Sequence, residues 1–199
     1  MIERIEDMKV SVNAREAILE AAKTAAQLHG YSGINFRSIG EVVGIKNASI
    51  YYHFPSKADL GAAVAERYWQ DAAQVLEGIR QANPDAQRCL TLYPSIFRTS
   101  LESGNRLCLA SFMAAEYQDL PDEVKAQVKR FAEANIEWLT EVLVSAGGAD
   151  EERCKARARA IYAAVAGAQL IARSRGDIGL FDELIGSYVE AGLIALLTE

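Results

Sequence analysis

Apolar side chains recur three and four residues apart along almost the whole chain, and no stretch sustains the strict alternation of a half-buried strand. A chain patterned this way has helices as its building blocks. Ile18, Ala21, Ala22, Ala25 and Leu28 line one face of a first helix, with Asn13 as its cap and Gly30 as its stop. The four prolines sit where helices start or bend. Asn83-Pro84-Asp85 reads as an N-cap, a proline at the first helical position and a first-turn acid, and Pro121-Asp122-Glu123 repeats the pattern. Pro94 lies inside a helical stretch and predicts a kink near Tyr93, because it removes a backbone donor. Gly104, Gly147-Gly148 and Gly176 punctuate further ends. The spacing predicts about nine helices, near 13–29, 37–43, 47–53, 56–82, 84–103, 106–118, 121–146, 150–174 and 179–197. The fold class is all-α. Three short elements precede longer ones with no Gly-, Ser- or Pro-rich linker, so a small head over residues 1–55 packs directly on a larger body over 56–199.

Composition narrows the function classes. Half of the 199 residues are hydrophobic and low-complexity runs are absent, which excludes a disordered chain. The longest nearly apolar stretch, Ala160 to Ala172, carries Gln169 and falls short of the roughly 20 residues of a membrane span. The opening MIERIEDMKVSV mixes charges without a signal-peptide core, so the expected location is cytoplasmic. Three cysteines without a CxxC suit a reducing compartment and argue against a disulfide framework or a zinc site. No GxSxG, P-loop or GxGxxG occurs. The two histidines, His29 and His53, lack metal-ligand spacing. We therefore expect no enzyme, no catalytic residues, no metal and no cofactor.

The segment FRSIGEVVGIKNASIYYHFPSKADL, Phe36 to Leu60, is the informative one. Two short helical pieces flank Gly44, with Ile39, Val42 and Val43 facing inward from the first and Ile45 and Ile50 closing the corner. Glycine in a tight turn between two short helices is the helix-turn-helix arrangement. The second piece then offers Lys46, Asn47, Ser49, Tyr51, Tyr52 and His53 to DNA. Arg37 and Ser38 on the first piece and Lys57 at the next helix start add donors, and helix N-termini favour phosphate.

The run Arg15-Glu16-Ala17-Ile18-Leu19-Glu20-Ala21-Ala22, then Gly44-Ile45, Ile50-Tyr51-Tyr52-His53-Phe54 and Ser56-Lys57-Ala58-Asp59-Leu60, resembles the N-terminal domain of TetR-family transcriptional repressors over about the first 60 residues. Beyond them the likeness lies in length and helical layout. The resemblance implies that Tyr51, His53 and Lys57 hold phosphate or sugar and that Lys46, Asn47 and Ser49 face the major groove. The sequence departs from the family pattern at Asn47, where Lys is frequent, and at Ala48, where Gly is. Either Lys46 restores the charge one position earlier, or Asn47 pairs bidentately with adenine and reads a base.

In the body, the helix at 150–174 is rich in Ala160, Ala163, Ala164, Ala166, Gly167 and Ala168, small enough for close helix approach. The last helix carries Phe181, Leu184, Ile185, Tyr188, Val189, Gly192 and Leu196 on one apolar face. The resemblance implies a homodimer through these last two helices, which would present two recognition helices about 34–36 Å apart to a palindromic operator. For a small apolar or amphipathic effector, the candidate lining is Tyr93, Phe97, Leu101, Cys108, Phe112, Met113, Phe131 and Trp138. Glu116 and Tyr117 complete that set, Glu116 as an acid to orient a cationic or hydroxylated ligand. Cys108 follows Arg106 near a helix start, two features that lower a thiol pKa. Because some TetR-like regulators sense electrophiles or oxidants near this point, a cysteine-sensing repressor stays open as an alternative. A helical small-molecule-binding protein without DNA activity is the other.

Charge is unevenly placed. Residues 1–60 hold seven Lys/Arg and seven Asp/Glu, whereas the rest hold 14 against 20, so the whole net charge of −6 belongs to the body. A head of zero net charge on an acidic body predicts weak non-specific DNA binding.

Overall fold

The computed structural model describes residues 2–147 and 150–196, with side chains from Asn13 onward. Among them, ten α-helices follow one another: α1 (Ile2–His29), α2 (Phe36–Val43), α3 (Asn47–His53), α4 (Lys57–Ala82), α5 (Ala86–Leu92), α6 (Ser95–Glu102), α7 (Leu109–Ala115), α8 (Asp122–Ser145), α9 (Glu151–Arg175) and α10 (Ile178–Glu190). Short 3₁₀ turns at Tyr31–Gly33 and Tyr117–Asp119 punctuate them, and no strand occurs among the described residues. The all-α expectation holds. The tenth helix arises because the 84–103 stretch breaks at Tyr93-Pro94, where the proline predicted a kink.

Local side-chain chemistry sets most starts. Asn35 accepts from the Ser38 amide to open α2, and Ser56 accepts from the Asp59 amide at 3.1 Å while its hydroxyl donates back to Asp59 at 2.7 Å to open α4. Asp150 and Asp177 do the same for α9 and α10. Several boundaries differ from the sequence reading. Asn13 lies inside α1 rather than capping it, since nothing between Ile2 and Asn13 interrupts a helix. The cap of α5 is Asp85, which accepts from Gln87, and not Asn83, whose amide instead donates to the Ile79 carbonyl at the end of α4. The final helix stops at Glu190 because Gly192 takes a positive φ of 72°. Of the remaining marks, Gly148 and residue 197 lie outside the described residues.

Two apolar cores run through the molecule. One joins Ile18, Ala22, Ile39, Ile50 and Phe54 of the head to Leu60 and Val64 of α4, and continues into Leu109 and Met113 of α7 and Val124 and Val128 of α8. The other fills the body between α4, α5, α6, α8, α9 and α10. Each fully buried Leu, Ile or Phe in such a core contributes about 1.5–3 kcal/mol relative to exposure. The head therefore shares its core with the body, and α4 belongs to both.

Candidate nucleic-acid interface

The corner between α2 and α3 is built by two glycines with different duties. Gly44 ends α2 in the left-handed region, at φ 76° and ψ 30°, and its amide donates to the Gly40 carbonyl. Gly40 has ordinary helical geometry, but a β-carbon there would lie 2.9 Å from the Ile45 carbonyl oxygen and 3.1 Å from Asn47 Oδ1. Close approach of α3 onto α2 thus requires Gly40, while reversal of the chain requires Gly44. Beneath the corner Ile39 and Ile50 are buried against α1, fixing the outward face of α3.

On that face Lys46, Asn47, Ala48 and Ser49 are exposed, as are Tyr51 and Tyr52, the latter at 80%. Such exposure of two tyrosines on a seven-residue helix leaves their hydroxyls open to a partner. Tyr51 is steered by the edge of Phe36, with ring centroids 4.8 Å apart, and Tyr52 by His53 at 5.1 Å. Arg37 and Ser38 are exposed beside them, Arg37 engaged with Glu41 at 3.2 Å. Lys57 stands apart from this surface chemistry. Its ammonium is half-buried, donates to the Ser32 carbonyl at 3.2 Å and lies 4.6 Å over the Tyr31 ring. Burial pushes its pKa down, and the charge of Glu116 partly opposes that shift. In this geometry Lys57 braces the head against the start of α4.

A family profile described as bacterial regulatory proteins, tetR family, matches residues 18–64, spanning the end of α1, the corner and the start of α4. The HTH-type transcriptional repressor AcnR of Corynebacterium efficiens is 36% identical over 70 residues, covering 35% of this chain and 36% of AcnR. The chain thus matches about a third of the length of that curated relative. A crystal structure of a TetR transcriptional regulator from Legionella pneumophila superposes with a TM-score of 0.82 at 34% identity, covering 88% of this chain and 95% of that one. The chain belongs to the TetR family of transcriptional regulators. A second TetR-family regulator, from Agrobacterium tumefaciens, superposes at 0.83 with 29% identity over 91% of this chain and 98% of its own. The likeness to TetR-family structures therefore extends through the body, beyond the motif legible in the head.

The structure divides the ten residues expected to line an effector site in this TetR-family body. Tyr93, Phe97, Phe131 and Trp138 form one buried aromatic cluster, with Tyr93 stacked on Trp138 at 5.9 Å and Phe97 edge-on to Phe131 at 6.4 Å. Leu101 and Cys108 join the same core. Asn135, buried on α8, accepts from the Tyr93 hydroxyl at 2.9 Å, and Gln169, buried on α9, bridges the Cys108 amide and the Phe97 carbonyl. Trp138 Nε1 is buried without a hydrogen-bond acceptor among the described residues. Met113 packs instead into the core shared with the head. Phe112 lies under the Arg173 guanidinium at 5.1 Å, and Tyr117 is exposed beside Lys125.

Glu116 does not face the aromatic cluster. Its carboxylate accepts from the Tyr31 amide at 2.6 Å and lies against Gly30, joining α7 to the end of α1. The surroundings of Cys108 favour an inert thiol over the reactive one that Arg106 and the helix start suggest. Its thiol is wholly buried and its pKa is pushed up by that burial, against hydrogen bonds from Ser111 and Tyr68 that favour the thiolate. The helix start and nearby Arg106 do not overcome desolvation.

Sequence reasoning missed Gly40, Asn135 and Gln169, and singled out Glu116 for a role other than its bond to the Tyr31 amide. A glycine in the middle of a short amphipathic helix is a visible signal for close approach. The partners of Glu116, Asn135 and Gln169 lie 85, 42 and 61 or more residues away, beyond any local pattern.

Proposed function

We propose that this chain is a homodimeric, ligand-responsive repressor that binds a palindromic DNA operator through α3 and is released by a small apolar or amphipathic effector. The observation that carries the reading is the polar face of α3, exposed while Ile50 anchors the helix in the shared core. Residues 1–55 serve as the reading head and 56–199 as the effector and dimer body. Lys46, Asn47 and Ser49 enter the major groove, with Asn47 or Lys46 choosing the base, and Tyr51, Tyr52 and His53 take backbone contacts beside Arg37 and Ser38. Lys57 adds its charge from behind the head surface.

Two further observations support the rest. Gly167 and Gly186 sit inside α9 and α10, where glycine costs about 1 kcal/mol against alanine, yet an added methyl at either meets nothing within 4 Å among the described residues. Close approach of a second copy explains them, as it explains the exposed Leu170, Ile171 and Val189 on the same two helices. In the aromatic cluster, the open Trp138 Nε1 donor offers a polar effector atom its hydrogen bond. Because α4 belongs to both cores, an effector that reshapes the body acts on the head, and reversing operator occupancy requires a preference of about 5.5 kcal/mol for the released state. No helix among the described residues is long and apolar enough to cross a membrane, in keeping with a cytoplasmic regulator.

Selection from random duplexes tests the reading. The purified chain is expected to enrich a palindrome, Asn47→Ala to relax one position in each half-site, and Lys46→Ala to lower the salt slope by about one. Failure to enrich any duplex refutes DNA binding and leaves the helical ligand-binding alternative. A monomeric wild type by sedimentation refutes the dimer.

A further inference from the structure

A groove of about 340 Å³ opens between α1 of the head and α4 and α6 of the body, and none of the ten expected effector residues lines it. Its polar groups include Gln27, only 7% exposed, whose amide makes no hydrogen bond within the described residues. Beside it, Ser100 is equally buried and interacts with the Tyr68 hydroxyl. Ala72, Val75 and Ile96 supply an apolar wall. The volume falls in the range of small-molecule sites, about 300–1,000 Å³.

Charge decides what fits. Four charged side chains line the groove, Glu20, Lys23, Asp71 and Arg106, and the first three have near ion-pair partners. Lys23 Nζ lies 2.6 Å from Glu20 Oε2, and Asp71 Oδ1 lies 2.9 Å from Arg67 Nε outside the groove. Arg106 has no carboxylate partner among the described residues. Its backbone is nevertheless held firmly. The Arg106 amide donates to the Ser100 carbonyl at 3.0 Å, and the preceding Asn105, at φ 56°, donates its side-chain amide to the Arg173 carbonyl of α9. A guanidinium with no carboxylate partner among the described residues, a solvent-reachable amide free to bond and an apolar wall together describe a receptor for a molecule with an anionic end and a hydrocarbon body.

We propose that this groove is a regulatory binding site for an amphipathic monocarboxylate, with its carboxylate on Arg106 and Gln27 and its chain along Ala72, Val75 and Ile96. The site borders the aromatic cluster through Tyr68, whose ring lies 5.5 Å from that of Phe131. A ligand seated there touches α1 and the body at once, so its affinity depends on how the head sits. Reciprocity then requires it to change operator affinity by the same factor that the operator changes its own. That coupling rests on the DNA-binding reading above, whereas the site itself does not.

Calorimetric titration of sodium octanoate into the DNA-free chain tests the site. Saturable binding with a Kd of about 1 mM or tighter is expected. Arg106→Gln should weaken it about tenfold or more, while 1-octanol should be indifferent to that change. Lys129→Gln, which removes an exposed cation outside the groove, should leave octanoate binding intact. Ala72→Phe should fill the groove and abolish binding. Should that variant fail to fold by circular dichroism, Arg106→Gln on the rim decides the matter alone. Absence of saturable binding, or equal binding by wild type and Arg106→Gln, overturns the proposal. The coupling is read by anisotropy with the selected duplex, where octanoate must shift wild-type affinity and leave Arg106→Gln unmoved; no shift in wild type overturns the regulatory role. If no duplex is ever selected, the DNA reading fails, and the calorimetry still decides the site.

Discussion

Alanine and asparagine at Gly40 and Gly44 separate two physical demands made by one corner. At Gly40 an added β-carbon meets the Ile45 carbonyl at 2.9 Å and Asn47 Oδ1 at 3.1 Å. The first contact is backbone, so α2 and α3 must part. Overpacking of this kind costs about 1–3 kcal/mol, offset by about 1 kcal/mol that alanine gains over glycine in a helix interior. The net loss is about 1 kcal/mol. At Gly44 nothing lies within 4 Å of the same atom, and the demand is the φ of 76°. Alanine there costs about 1–2 kcal/mol, less about 0.4–1 kcal/mol from the stiffer unfolded chain. The two alanine variants are thus alike in stability, and asparagine distinguishes them. Asn tolerates the left-handed region, so Gly44→Asn should approach wild type, whereas Gly40→Asn adds bulk and should fall below Gly40→Ala. Urea unfolding midpoints check the order. Duplex affinity adds a second reading: Gly40→Ala displaces α3 within a folded protein and should lose about tenfold, or about 1.4 kcal/mol, on the selected operator. Gly40→Asn as stable as Gly40→Ala, or unchanged operator affinity for Gly40→Ala, refutes the account of the corner.

Other consequences follow from single contacts. Glu116→Gln weakens the charge-assisted bond to the Tyr31 amide and should cost about 1 kcal/mol, with faster hydrogen exchange at Tyr31; unchanged exchange would show that the carboxylate does not hold the turn. With Cys89→Ala and Cys154→Ala in place, Cys108 should react with N-ethylmaleimide at pH 8 about a hundredfold more slowly when folded than in urea, because burial both hides the thiol and raises its pKa. Comparable rates would restore the cysteine-sensing alternative. Asp182 is held below its ordinary pKa by the Arg98 guanidinium at 2.8 and 2.9 Å, against a smaller opposing effect of burial. Its contribution is present above the unfolded value of about 4 and disappears as pH falls through the lower folded value. Both side chains are more than a third exposed, so Asp182→Asn should flatten the acid limb of stability by less than about 1 kcal/mol, and a steeper limb would contradict the pairing.

The helical class, the helix-turn-helix motif and the side chains α3 exposes were all legible in the order of residues. These depend on periods of three and four residues and on caps one to three residues from the atoms they satisfy, as at Ser56 and Asp177, so they are written locally. The order of residues also located the break at Tyr93-Pro94, since a missing amide acts at the proline itself. Tertiary structure alone decided which apolar and charged residues meet. Met113 and Leu101 look alike in a pattern, yet one joins the head and the other the body. Arg106 lies beside Cys108 in sequence but lines a groove with Gln27, 79 positions earlier, while Cys108 is sealed in the core. Burial, and with it the pKa of Cys108 and the solvent left to Arg106, depends on helices distant in the chain closing over a side chain, and no local spacing carries that information.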